Sequence, residues 1–224
     1  MGLPYGEKSE AQIAARVASL LGRLNERYTP CLACIACNTA STIALEAVRE
    51  VLEIPIVGTV PAIKPASSIT KTGKIGLLGT RATIRQAYVD TLENQFAQQK
   101  KLIRYAAPEL VEAAENKVRG LANNRLVFAN ALAGLFEQSG GEDIDTIVLA
   151  CTHFPLLERE LRQETDREMT FVHGGAGIAR RIVQLLDPKL LEKTGSDTLV
   201  VTGERQGSFE KVFRSYGFTE FHSL

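Results

Sequence analysis

The stretch CLACIACNTAS, residues 31–41, sets three cysteines at a spacing of three in an otherwise apolar run. CLACIAC has the makeup of a short strand buried on both faces of a parallel sheet, where no polar alternation is needed. The polar residues that follow suit the start of a helix. NTASTIALEAVREVLE then carries Ile43, Leu45, Val48, Val51 and Leu52 on a helical pattern. Strand, cysteine, polar turn and helix follow one another without a gap.

Working outward, residues 8–28 read as an amphipathic helix through Ile13, Val17, Leu20, Leu21 and Leu24, stopped by Pro30. IPIVGTV is a second strand. PAIKPASSITKTG mixes Pro, Ser, Thr and Gly and marks a crossover between domains. The pattern then restarts: KIGLLGT is a strand and RATIRQAYVDTLENQF one helix. Residues 108–137 are helical with a break near Gly120. DTIVLA is a buried strand, CTHFPLLERELRQE begins a helix, MTFVH is a strand and GAGIARRIVQLLD a helix. DTLVVTG and FEKVFRSYGF are a last strand and helix. Strands alternating with helices predict an α/β fold with mainly parallel sheets flanked by helices.

CIACNTAS and VLACTHFP echo each other, each a strand, then Ala-Cys, then polar residues, then helix. Two similar half-domains facing each other would bring Cys37 and Cys151 to one cleft. The expected division is residues 1–65 plus 173–224 for the first half-domain and 66–172 for the second.

Bulk composition narrows the function classes. The 224 residues are 45% hydrophobic and 23% charged with zero formal net charge, an ordinary soluble balance. No basic run suggests a nucleic-acid or membrane-surface footprint. No apolar stretch is long enough to span a bilayer. MGLPYGEKSE lacks the apolar core of a secretory signal, and Gly6 stands where a myristoylation motif wants Ser or Thr. Four cysteines, three of them crowded together, do not make a disulfide framework, so a reduced, cytoplasmic setting is expected.

The crowded cysteines do not converge on a metal. C-x2-C-x2-C is most of a ferredoxin run, but its fourth ligand would fall at Ser41. A zinc site would need a second Cys or His pair at ligand spacing. In a strand, Cys31 and Cys37 share a face while Cys34 points away. Cys31 and Cys34 are therefore expected as buried packing. Cys37 and Cys151 differ, because each closes an apolar strand just before a helix begins. In open α/β sheets the carboxyl ends of strands form the ligand crevice. Helix N–H groups there hold a carboxylate and stabilise a thiolate. Two such thiols across a cleft suggest proton transfer: one removes a proton from a carbon, and the other delivers one to the opposite face.

PYGEKS, ACNTAS, GLLGTRATI, ELVEAAE and ACTHFPLL resemble the glutamate racemases of the aspartate/glutamate racemase family, in particular their proteobacterial branch, over almost the whole chain. The resemblance implies a cofactor-independent enzyme with two cysteines as opposed acid and base. It would supply D-glutamate for peptidoglycan, and so serve cell-wall biogenesis and cell shape. It implies that Cys37 works on the D-enantiomer and Cys151 on the L-enantiomer. Asn38, Thr39, Ser41 and Thr152 would bind substrate, as would the Pro4-Tyr5-Gly6 segment. His153 would assist Cys151, and Glu112 matches the family carboxylate near that side; a helix cap and a solvated helix face are the plainer readings of these two. The implied partners are glutamate, a cell-wall-precursor activator, a second copy in a homodimer and, in some members, gyrase, but no membrane.

Two departures stand out. Family members begin with a strand ending in Asp-Ser-Gly, whose Asp supports the first cysteine, and this chain opens after it. The family's VDSG reads VHGG here, with His173 in place of Asp, and a plain loop residue is the favoured reading. A central strand left out would leave unpaired backbone groups and an apolar gap. Low stability and weak or absent racemisation are therefore expected of the chain as given. The alternatives are a catalytically impaired racemase fold serving as a ligand- or partner-binding protein, or a racemase for aspartate or a hydantoin. ACTHFPLL favours the glutamate branch.

Overall fold

The computed structural model describes residues 5, 8–192, 195–203 and 207–224. Helix α1 (Glu10–Tyr28) starts at Ser9 with a reciprocal capping box to Gln12. It buries Ile13 and Val17 against α2 (Asn38–Val51). Strand β1 (Ala33–Ile35) precedes α2, and β2 (Ile56–Gly58) follows it and pairs with β1 in parallel. Helix α3 (Ile63–Ile69) leads to a second sheet.

That sheet is parallel, in the order β4 (Lys101–Ala106), β3 (Lys74–Gly79), β5 (Thr146–Leu149), β6 (Thr170–Val172). Its central strands are buried on both faces, as continuous apolar runs require. Leu78, Ile147 and Leu149 enter a core with α6 (Glu109–Val118) and α7 (Leu126–Phe136). Ile75, Leu77, Val148 and Ala150 enter the opposite core with α3 and α5 (Ala87–Phe96). Gly134 lets α7 approach β4, since a Cβ there would stand 2.2 Å from the Tyr105 ring. After α8 (Glu158–Gln163) and β6 come α9 (Gly175–Leu185), β7 (Asp197–Val201), α10 (Gly207–Ser215) and β8 (Phe218–Ser223). Strands β7 and β8 form a separate parallel pair.

One carboxylate ties the crossover to the second sheet. Asp145 accepts the Thr70 hydroxyl at 2.7 Å, the Lys71 and Thr72 N–H groups at 2.7 and 2.9 Å, and the Thr146 hydroxyl at 2.9 Å. Burial acts to raise its pKa, but these donors outweigh it and bring it down to about 2.

The α/β class with parallel, helix-flanked sheets is what the patterning predicts. Four details differ. The helix expected over 81–96 breaks at Gln86, which is extended with ψ 135°, giving α4 (Arg81–Arg85) and α5. Strand β4 is not expected from the pattern; it is a half-buried sheet edge with charged Lys101 and Arg104 and lacks an apolar run. Strand β8 is likewise unexpected. Cys31 and Cys34, expected to be buried, are exposed. The reason is coverage: Ala33 and Ile35 face the α1–α2 core, while Cys34 points to the other face of a strand whose only neighbour among the described residues is β2. Among the described residues no helix is long and apolar enough to cross a membrane.

Candidate active site

Strands β1 and β5 lie in different sheets, and each delivers a cysteine just past its carboxyl end. Cys37 is the N-cap of α2, extended at φ −149°, and its Sγ accepts the Ala40 N–H at 3.5 Å. Burial raises its thiol pKa, and the Ala40 and Thr39 N–H groups offset part of the rise. Cys151 is 9% exposed and begins the turn into a short 3-10 segment, Phe154–Leu157. Burial pushes its pKa up to about 11, and Cys37 adds to the rise through its charge, while the His153 and Phe154 N–H groups pull the other way. The Thr152 hydroxyl joins the two cysteine loops by donating to Ala36 O at 3.0 Å.

His153 stands at the N-cap position of that 3-10 segment, but its side chain makes no capping bond. Its Nδ1 stands 3.8 Å from Cys151 Sγ, and its Nε2 lies 3.0 Å from Glu115 Oε1. The second Glu115 oxygen pairs with Arg119 at 3.2 Å. The carboxylate that meets His153 is thus Glu115 and not Glu112, which is exposed on α6 without a contact to His153. The buried face of α6 is drawn by Leu110, Ala113 and Ala114. At about 100° per residue, Glu112 and Glu115 both fall roughly 150° from the centre of that face, on opposite flanks of the helix, and only Glu115 stands on the flank that His153 meets. Helical periodicity in ELVEAAE does not separate the two glutamates; the contact with His153, 38 residues along the chain, does.

Asn38, Thr39 and Ser41 are all buried in the first turn of α2. Asn38 Oδ1 accepts the Thr59 hydroxyl at 3.5 Å. Thr39 Oγ1 meets Thr83 Oγ1 at 3.2 Å. The Ser41 hydroxyl is already engaged twice, donating to Ile35 O and accepting the Thr59 N–H, both at 3.0 Å. Tyr5 packs against the α1–α2 core, while Pro4 and Gly6 lie outside the described residues. His173 is exposed between β6 and α9, where its Nδ1 accepts the Gly175 N–H at 3.2 Å. Thr59 and Thr80, just past the ends of β2 and β3, and Thr83 in α4, whose roles are not readable from the sequence, are buried hydroxyls. Among the described residues no group of three or more His, Cys, Asp or Glu side chains is placed to hold a metal ion.

Residues 1–182 match the family described as Asp/Glu/Hydantoin racemase. A glutamate racemase of Sphingopyxis alaskensis is 58% identical over 186 residues, covering 83% of this chain and 69% of the relative. A glutamate racemase of Haemophilus influenzae is 40% identical over 221 residues, covering 97% and 81%. The crystal structure of the Escherichia coli glutamate racemase, with L-glutamate and the activator UDP-MurNAc-ala, superposes with a TM-score of 0.90 at 38% identity. It covers 99% of this chain and 84% of that one. This chain belongs to the Asp/Glu/hydantoin racemase family: it is an amino-acid racemase, and the relatives it matches over most of its length are glutamate racemases.

Proposed function

We propose that the chain interconverts L- and D-glutamate through Cys37 and Cys151 acting on opposite faces of the α-carbon, without a cofactor, and so supplies D-glutamate for peptidoglycan. The observation that carries this is the pair of strand–cysteine–turn arrangements on separate sheets, held together by the Thr152–Ala36 bond. Cys37 as thiolate takes the α-proton of D-glutamate, and the Cys151 thiol gives its proton to the opposite face. The reverse exchange starts from L-glutamate. Each turnover consumes one thiolate and makes one, so the proton count closes.

The first-turn N–H groups of α2 and the Asn38 amide suit a substrate carboxylate. Thr39, Thr152 and the Pro4-Tyr5-Gly6 segment complete the substrate contacts. Thr152 exchanges Ala36 O for the substrate when the site fills. His153, backed by Glu115, serves Cys151 as proton partner. The cleft lies between one lobe of residues 1–65 with 173–224 and another of residues 66–172. A cell-wall precursor of the kind bound by the E. coli relative is the proposed activator.

The test is α-proton exchange. In deuterated water both glutamate enantiomers should lose the α-proton signal and give deuterated product of the opposite hand. Exchange with aspartate and not with glutamate would overturn the substrate assignment. Exchange with neither would overturn the two-thiol reading.

A further inference from the structure

Three buried threonine hydroxyls form a chain between the elements that carry the two cysteine loops. Thr39 is 3% exposed in the first turn of α2, two residues past Cys37. Thr83 is 1% exposed in α4, and Thr80, at 8%, is the N-cap of α4 at the end of β3. Thr39 Oγ1 lies 3.2 Å from Thr83 Oγ1, which lies 3.0 Å from Thr80 Oγ1. Thr80 Oγ1 also accepts the Thr83 N–H at 3.2 Å. Strand β3 is the direct neighbour of β5, which leads to Cys151. One end of the chain is thus anchored in the α2 wall beside Cys37, and the other in the sheet that presents Cys151.

Buried hydroxyls are costly when unpaired, so this chain is stable only while the two walls stay together. The surroundings are built the same way. Thr42 on α2 bonds to Gln86 at the break between α4 and α5, and Thr152 bonds to Ala36. When the cleft opens, water can take the place of Thr83 on the Thr39 hydroxyl. When it closes, Thr83 must supply that partner itself.

We propose that Thr83 is a positioning residue, whose hydroxyl clasps the α2 wall to the β3–α4 loop and sets how often the cleft opens. It touches no reacting atom and acts through Thr39 and Thr80. The catalytic consequence rests on the two-thiol reading above, but the clasp is tested without substrate.

The four cysteines supply the readout. Cys31 and Cys34 are exposed, whereas Cys151 is buried in the cleft. Iodoacetamide alkylation at one fixed pH, followed residue by residue with peptide mass spectrometry, therefore measures Cys151 access against an internal reference. In Thr83→Val, Cys151 should react about five- to tenfold faster relative to Cys34, the shift in an opening equilibrium that one buried hydrogen bond supports. Thr83→Ser keeps the hydroxyl and should stay within about twofold of wild type. Thr83→Ala removes the same hydroxyl with less bulk and covers the case in which the valine variant does not fold.

An unchanged Cys151 to Cys34 ratio in both hydroxyl-free variants would overturn the clasp. Equal acceleration in Thr83→Ser would overturn it too, as would faster amide exchange in β5 and α7, which would make Thr83 a core residue. Kinetics complete the test. The kcat/KM should fall by the same factor in both directions, because two enantiomers have an equilibrium constant of one. Normal racemisation with an unchanged alkylation ratio removes the clasp alone. Faster alkylation in Thr83→Val, beside a wild type that racemises nothing, removes the two-thiol reading and leaves the clasp standing.

Discussion

Glu115 and His153 meet at 3.0 Å on the side of the His153 ring that faces away from Cys151. A carboxylate in that place selects the ring orientation that leaves Nδ1 toward the thiol.

Replacing Glu115 by Gln keeps the shape and removes the charge. We expect kcat/KM to fall roughly ten- to a hundredfold, less than the roughly 10²–10⁴-fold that a group transferring the proton itself contributes, because Glu115 acts through His153. Glu112→Gln, on the side of α6 away from the core, should stay within about twofold on the same scale. Steady-state rates in both directions compare the two, and equal losses would return the carboxylate role to Glu112.

Cys37→Ser and Cys151→Ser should each stop net racemisation while leaving one working thiol. With Cys151 intact, Cys37→Ser should still exchange the α-proton of L-glutamate. Cys151→Ser should still exchange that of D-glutamate. Proton NMR in deuterated water reads both, and the opposite preference would reverse the assignment of faces.

The raised pKa of Cys151 has a consequence for alkaline stability. An unfolded thiol ionises near its ordinary value of 9.0, and the folded one near about 11. The folded state therefore holds its proton longer, so the contribution is whole below pH 9 and is lost as pH rises toward 11. The loss is about 3 kcal/mol for this largely buried group. Urea unfolding at successive pH values should show Cys151→Ala declining less steeply than wild type across that window.

Asp145 works in the opposite sense. Its pKa is lowered from 3.8 to about 2, so its stabilisation is present above about pH 4 and fades as pH falls toward 2. Asp145→Asn loses the charge that four donors share and should destabilise the protein by about 1–2 kcal/mol at neutral pH. Thermal melts of the two proteins should converge near pH 2. A constant difference down to that pH would mean that the amide changes packing instead.

What is legible in the sequence follows a physical rule. Cys37 and Cys151 stand out because each closes an apolar strand and opens a polar turn, a signal contained in neighbouring residues. Glu115 is not separable by pattern from the equally acidic Glu112 three residues before it, because what marks it is its partner His153, far along the chain. Thr59, Thr80 and Thr83 carry no local signal, because a buried hydroxyl is defined by partners far along the chain, such as Thr39 for Thr83. The break at Gln86 lacks the Gly or Pro that usually marks one. The exposure of Cys34 is invisible for a related reason: an apolar strand looks the same whether one face or both are covered.

Ser41 belongs to α2 but acts on the sheet beneath it. Strands β1 and β2 end their pairing at Ile35 and Gly58, where the next rung would run from the Thr59 N–H to Ile35 O. The Ser41 hydroxyl bonds to both of those groups. A side chain of the helix thus completes the ladder, and the spacing of the two strands at their fork is governed by an oxygen that belongs to neither. The Cys37 loop leaves from that fork. A kinetic defect in a Ser41 variant would accordingly report a shifted hinge in the scaffold, and a substrate soaked into such a variant should still find its other contacts, displaced together as one piece.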